Sequence, residues 1–211
     1  MGIPAGKLDL EWLRRRFADA LAPAGSIYGD QDMRPPAGEL RAASVLVPIV
    51  ARETEPTVLF TRRTEHLKSH SGQISFPGGR AEAHDRTAEG TALRETWEEI
   101  GLPAERVELL GRLSDYHTRT GYRITPVVGL VQPPFELLAD ANEVAEIFEV
   151  PLAFLLDARN HLRHSRDFQG QHRQFFAIPF ADYYIWGATA GMLVNLHRHL
   201  AGGAGEKEGE G

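Results

Sequence analysis

Leu10, Leu13, Phe17 and Leu21 recur at helical spacing, which predicts an amphipathic helix over residues 9–21, closed before Pro23. Residues 22–41, with several Pro and Gly, read as a connecting arm. Downstream the pattern changes: 43–51 and 57–62 are strand-like, with Glu53-Thr54-Glu55-Pro56 turning between them. A short strand over 72–76 should deliver Gly78-Gly79, and a helix should run over 87–100. Strands are predicted over 107–115, 122–131 and 144–150, the first two joined by a polar loop rich in Thr, Arg and Gly. A short helix over 151–156, extended segments over 174–179 and 183–185, and a closing helix over 187–200 complete the pattern. Strands mixed with helices, without regular βαβ alternation, fit an α/β/α sandwich around a mixed β-sheet. Residues 1–41 thus read as a helix and arm, 42–200 as the main domain, and 201–211, which lack an apolar anchor, as a disordered tail. No internal repeat is present.

The helix over 87–100 carries the most chemistry. Steps of about 100° per residue place Glu95, Glu98 and Glu99 on one arc, with Leu93, Trp97 and Ile100 on the opposite, core-facing side. Gly101 suits the left-handed C-terminal position, Leu102 would then contact Trp97, and Pro103 prevents continuation. Like charges one turn apart are mildly repulsive. A hard cation such as Mg²⁺ or Mn²⁺, which prefers carboxylate and phosphate oxygens, would give them a purpose. Ala88, Thr91 and Ala92 leave room for a ligand to approach. On its own, this spacing is more often a solvated acidic surface, and its surroundings decide otherwise.

With 211 residues, 42% of them hydrophobic, the chain can bury a core as one domain. No apolar run approaches the ~18 residues of a membrane span, and the N-terminus does not read as a signal peptide. The absence of Cys excludes disulfides and thiolate metal sites and fits a cytoplasmic protein. A net charge of −6 argues against broad nucleic-acid binding. It leaves room for a local basic pocket, which Arg62, Arg63 and Lys68 suggest, with His66 and His70 nearby.

The surroundings of the acidic helix are specific. Gly79-x5-Asp85-x8-Arg94-Glu95-Thr96-Trp97-Glu98-Glu99-Ile100-Gly101-Leu102 resembles the Nudix box. It differs in having Asp85 where Glu is usual, one extra residue before Arg94, and Thr96 in an aliphatic position. These departures fall mainly on the loop before the helix, so no role is expected for Asp85. Leu59-Phe60-Thr61-Arg62-Arg63-Thr64 followed by Leu67-Lys68-Ser69-His70-Ser71-Gly72-Gln73-Ile74-Ser75-Phe76-Pro77 is similar to the stretch preceding the box in the coenzyme A pyrophosphatase branch. Asn142-Glu143-Val144-Ala145-Glu146 and Ile185-Trp186-Gly187-Ala188-Thr189-Ala190 are similar to the same branch.

The resemblance implies the Nudix fold and metal-dependent hydrolysis of a diphosphate flanked by two organic groups. Mg²⁺ or Mn²⁺ would neutralise phosphate oxygens and acidify water for in-line attack on phosphorus. The implied metal ligands are Glu95, Glu98, Glu99 and the Gly79 carbonyl. Arg94 would orient a glutamate, and Glu143 is the candidate general base, ahead of Glu146. Arg62, Arg63, Lys68, His70 and Gln73 are the implied substrate-binding residues. The partner is then a small molecule, with neither nucleic acid nor membrane expected. ADP-ribose, a dinucleotide or a nucleoside triphosphate are the alternative substrates. A nucleotide sensor that has lost catalysis would show eroded glutamates, and all three stand here.

Other features carry less. His66 and His70 lack the intervening Glu of a zinc helix. Arg119 and Arg123 could reach phosphate, Trp186 reads as core packing, and His197 and His199 suit a helix C-terminus. The N-terminal helix could cover the core or mediate a homodimer.

Overall fold

The computed structural model describes residues 8–19, 26–28, 40–66, 71–168 and 171–202. Lys68, His70 and the tail from residue 203 onward lie outside the described residues. In chain order the elements begin with α1 (Leu10–Asp19), β1 (Ser26–Tyr28), β2 (Arg41–Val50), β3 (Thr57–Arg63), β4 (Ile74–Ser75) and β5 (Gly78–Arg80). Then come α2 (Ala88–Ile100), β6 (Val107–Arg112), β7 (Asp115–His117), β8 (Tyr122–Val131), β9 (Val144–Pro151) and α3 (Leu152–Leu155). The chain finishes with β10 (Leu162–Phe168), β11 (Gln171–Phe180), β12 (Tyr183–Trp186) and α4 (Gly187–Leu200).

Nine strands, β1 to β9, form one mixed sheet. Its centre is β2, which pairs in parallel with β8 over its whole length and antiparallel with β3 and β5. Strand β2 is buried on both faces from Ala43 onward, which explains its nearly continuous apolar run. Leu46, Val50 and Leu59 look to one face, where they meet Ala92 and Ile100 of α2. Val45, Val47, Ile49, Val58 and Phe60 look to the other, where they share a core with α1, α4 and the second sheet. Each such large side chain, fully buried, stabilises the fold by about 1.5–3 kcal/mol before entropy is counted. The expected α/β/α sandwich is present.

A second, three-stranded antiparallel sheet, β10–β11–β12, accompanies it. Its first strand gave no apolar alternation in the sequence, because most of its side chains are exposed. Helix α1 buries Leu13 and Phe17 in the core and ties to β6 through an Arg14–Glu108 ion pair of 2.7 Å. It therefore covers the sheet. Trp186 is 41% exposed rather than core-packed, its ring lying edge-on to Phe175.

Candidate active site

Helix α2 starts where predicted: Thr87 is the N-cap, its hydroxyl accepting from the Gly90 N–H at 3.0 Å. It ends at Gly101 in the left-handed region (φ 67°), whose N–H donates to the Trp97 carbonyl. The residues after β8 complete this end, as the N–H groups of Leu138 and Asp140 donate to the Ile100 and Glu99 carbonyls, both at 2.9 Å. The helix is rotated relative to the expected arrangement. Thr91, Ala92, Thr96, Glu99 and Ile100 are buried, whereas Trp97 is 57% exposed and does not anchor the helix. The small residues Ala92 and Thr96 let the helix approach the sheet closely, which leaves the bulky indole outside.

This rotation sends the three glutamates into different environments. Glu98 is exposed, Glu95 is partly buried and Glu99 is 6% exposed. Glu99 Oε2 accepts from the Gly78 N–H at 3.3 Å, and its Oε1 lies 3.7 Å from Arg63 Nη1. Burial pushes the Glu99 carboxyl up to about 8, outweighing the Gly78 hydrogen bond and Arg63, with Glu143 and Glu95 adding repulsion. Glu95 is also raised, by burial first, against the pull of Arg94.

Arg94 is the hub of the exposed side. Its Nε and Nη2 donate to both oxygens of Asp85 (3.1 and 2.8 Å), its Nη1 donates to Glu98 at 2.9 Å, and its Nη2 pairs with Glu95 at 3.0 Å. The expectation for Asp85 is thereby corrected. Its side chain is buried, also accepts from the Glu82 N–H and the Thr91 hydroxyl, and is held well below the usual carboxylate range chiefly by Arg94.

The remaining residues sort by sheet face. A β-bulge shifts the β3–β9 register between Arg62 and Arg63. Arg63 turns toward α2, where its Nη2 lies 3.7 Å from Glu143 Oε2 and its backbone N–H donates to the Gln73 carbonyl at 3.0 Å. Thr64 fixes the Glu143 loop, its N–H donating to the Glu143 carbonyl and its hydroxyl to the Asn142 carbonyl, both at 3.0 Å. Arg62 does not join them. It pairs with Glu146 at 2.9 Å, and Glu146 also accepts from the Tyr183 hydroxyl at 2.7 Å, beside Phe148 of the opposite core. Glu146 is thus turned to the opposite face, and of the two Glu143 stands beside the acidic helix. Arg123 lies 3.7 Å from Asp115 in the β7–β8 hairpin, the hydroxyl of Thr64 lies 3.5 Å from His66 Nε2, and His197 meets the Leu156 carbonyl at 2.7 Å.

Gly79 pairs with Ser44 of β2, directly under Glu95. A Cβ there would come within 2.3 Å of Glu95 Oε2, so only glycine leaves the cradle that brings backbone and carboxylate together. Among the described residues no three acidic or His side chains close on a common point, since arginines pair them off instead. The donor set nevertheless consists of oxygens alone around a glycine-bounded gap, which fits a hard divalent ion. Fold and site together place an acidic helix and a cationic strand residue on the same side of a mixed sheet flanked by helices.

The NUDIX domain model matches residues 40–169. Proteins named "Uncharacterized Nudix hydrolase NudL" from Yersinia pestis (strain Pestoides F) and Yersinia pseudotuberculosis (serotype O:1b, strain IP 31758) are each 41% identical over 163 residues, covering 76% of this chain and 78% of the relative. Solved structures include the Nudix hydrolase RenU from M. smegmatis (22% identity, TM-score 0.46, 55% of this chain and 73% of that one). They also include a C. elegans Ap4A hydrolase binary complex (15% identity, TM-score 0.46, 52% and 80%). The chain belongs to the Nudix family, as a Nudix hydrolase.

Proposed function

We propose that this enzyme hydrolyses the diphosphate of coenzyme A or its derivatives, giving 3′,5′-ADP and 4′-phosphopantetheine or its acyl form, in the cytoplasm. The observation that carries the reading is the position of Arg63. It comes from the stretch similar to the coenzyme A branch, and it lies against both Glu99 and Glu143. A cation able to bind phosphate beside the acidic helix supports this reading. Residues 42–200 would form the catalytic domain, with the segment before them as its cover.

Glu95, Glu98, Glu99 and the Gly79 carbonyl would hold Mg²⁺ or Mn²⁺. That ion supplies positive charge against the phosphate oxygens and acidifies water. Arg94, anchored by Asp85, keeps Glu95 and Glu98 aimed at the gap. Glu143 Oε2 accepts the proton of the attacking water as a new P–O bond forms and the bridging P–O bond breaks. Both products leave as phosphate monoesters.

The test compares coenzyme A, 3′-dephospho-coenzyme A, ADP-ribose and a nucleoside triphosphate as substrates, with Mg²⁺, Mn²⁺ or chelator, products being resolved by chromatography. Metal-dependent release of 3′,5′-ADP, fastest from coenzyme A, is expected. Faster turnover of another substrate would overturn the coenzyme A assignment and leave the hydrolase class in place.

A further inference from the structure

Two guanidinium groups divide the carboxylates of the site between them. Arg94 holds Asp85, Glu95 and Glu98, and its two hydrogen bonds to the buried Asp85 carboxylate, through Nε and Nη2, make it a fixed part of the wall. Arg63 is held differently. Both of its side-chain contacts to carboxylates, Glu99 Oε1 and Glu143 Oε2, are 3.7 Å long, beyond hydrogen-bond distance. It therefore acts as an electrostatic bridge that can be broken. Its backbone is fastened by the Gln73 carbonyl and the adjacent bulge, so the side chain can swing while the strand stays in place.

We propose that Arg63 is a positioning residue that stands in for the divalent ion before the ion arrives. Its charge occupies Glu99 and draws Glu143 toward α2. A cation entering between Glu95 and Glu99 must displace it, which frees the guanidinium for a substrate phosphate and leaves Glu143 beside the gap. Arg63 thus weakens metal binding in the absence of substrate and couples metal to substrate in its presence. This rests on the metal assignment given under Proposed function, and is independent of which diphosphate is cleaved.

The experiment is Mn²⁺ binding to the whole protein without substrate, by electron paramagnetic resonance titration, with thermal melts to verify folding. Arg63→Gln should bind Mn²⁺ at least about tenfold more tightly than wild type, since a like charge is removed from a partly buried site. Arg63→Lys keeps the charge and should stay within about threefold. Arg62→Gln removes the same charge from the opposite face and should match wild type. Unchanged or weaker binding in Arg63→Gln would overturn the proposal, as would an equal gain in Arg62→Gln or Arg63→Lys. Added coenzyme A should tighten Mn²⁺ binding in wild type and lose most of that effect in Arg63→Gln. If coenzyme A has no effect on wild type while the substrate-free order holds, the substrate assignment fails and the role of Arg63 in metal binding stands.

Discussion

The two faces of the β3–β9 ladder carry the same kinds of residue and differ in what those residues can do. On one, Arg62, Glu146 and Tyr183 form a closed set, with donor and acceptor matched at 2.9 and 2.7 Å and the Tyr183 ring stacked on Phe148. On the other, Arg63 faces Glu99 and Glu143 at 3.7 Å, and the buried Glu99 is left with a desolvation cost that Gly78 and Arg63 do not offset. A satisfied polar set fastens layers together, whereas an unsatisfied one retains a demand for an outside cation. The alternation of β3, with Val58 and Phe60 on one face and Leu59 on the other, sends Arg62 to the first and Arg63 to the second.

The largest expected effect comes from removing the unsatisfied charge. Glu99→Gln should lower metal-dependent turnover by roughly 10²–10³, with the protein still folded by circular dichroism. The adjacent glycines separate fold from site. At Gly78 (φ 149°) a Cβ would meet the Ser44 carbonyl at 2.4 Å and Val45 Cα at 2.6 Å, so Gly78→Ala should destabilise by about 1–3 kcal/mol or more in denaturant titration. At Gly79 the clash is with the movable Glu95 carboxylate. Gly79→Ala should therefore keep its melting temperature within a few degrees while turnover falls about 10–100-fold.

The pH dependence sharpens the comparison. Glu99 binds its proton more tightly in the folded chain, titrating near 8 against an ordinary 4.5. Its contribution is therefore neutral below about 4.5 and increasingly destabilising as pH rises toward 8, with a slope approaching ~1.4 kcal/mol per pH unit. In chelator, stability should fall over that window, and Mg²⁺ should restore most at its alkaline end. Glu99→Gln should flatten the curve in chelator. The smallest effect belongs to the satisfied face, where Tyr183→Phe should cost about 0.5–1.5 kcal/mol in urea and leave Mn²⁺ affinity unchanged.

Much of this was legible in the chain. Thr87 and Gly101 bound the acidic helix by local capping, and the burial of β2 on both faces follows from its apolar run, because both depend on a few neighbouring residues. The box grouped Glu95, Glu98, Glu99 and Arg94 on one helix for the same reason. Helical spacing failed on rotation: a period places residues on a common arc without saying which part of the arc meets the sheet, so Trp97 was given to the core and Glu99 to the face away from it. Contacts between distant segments were equally hidden. Asp85 reaching Arg94 depends on how a loop closes, Glu143 beside Arg63 on a segment tied to both α2 and β3, and which of the alternating Arg62 and Arg63 meets α2 on how the sheet packs. The sequence by itself determined which groups carry charge and where the helices and the long central strands lie. Only the tertiary structure decided which charges meet, because packing across the sheet sets the separation, burial and pairing of groups far apart in the chain.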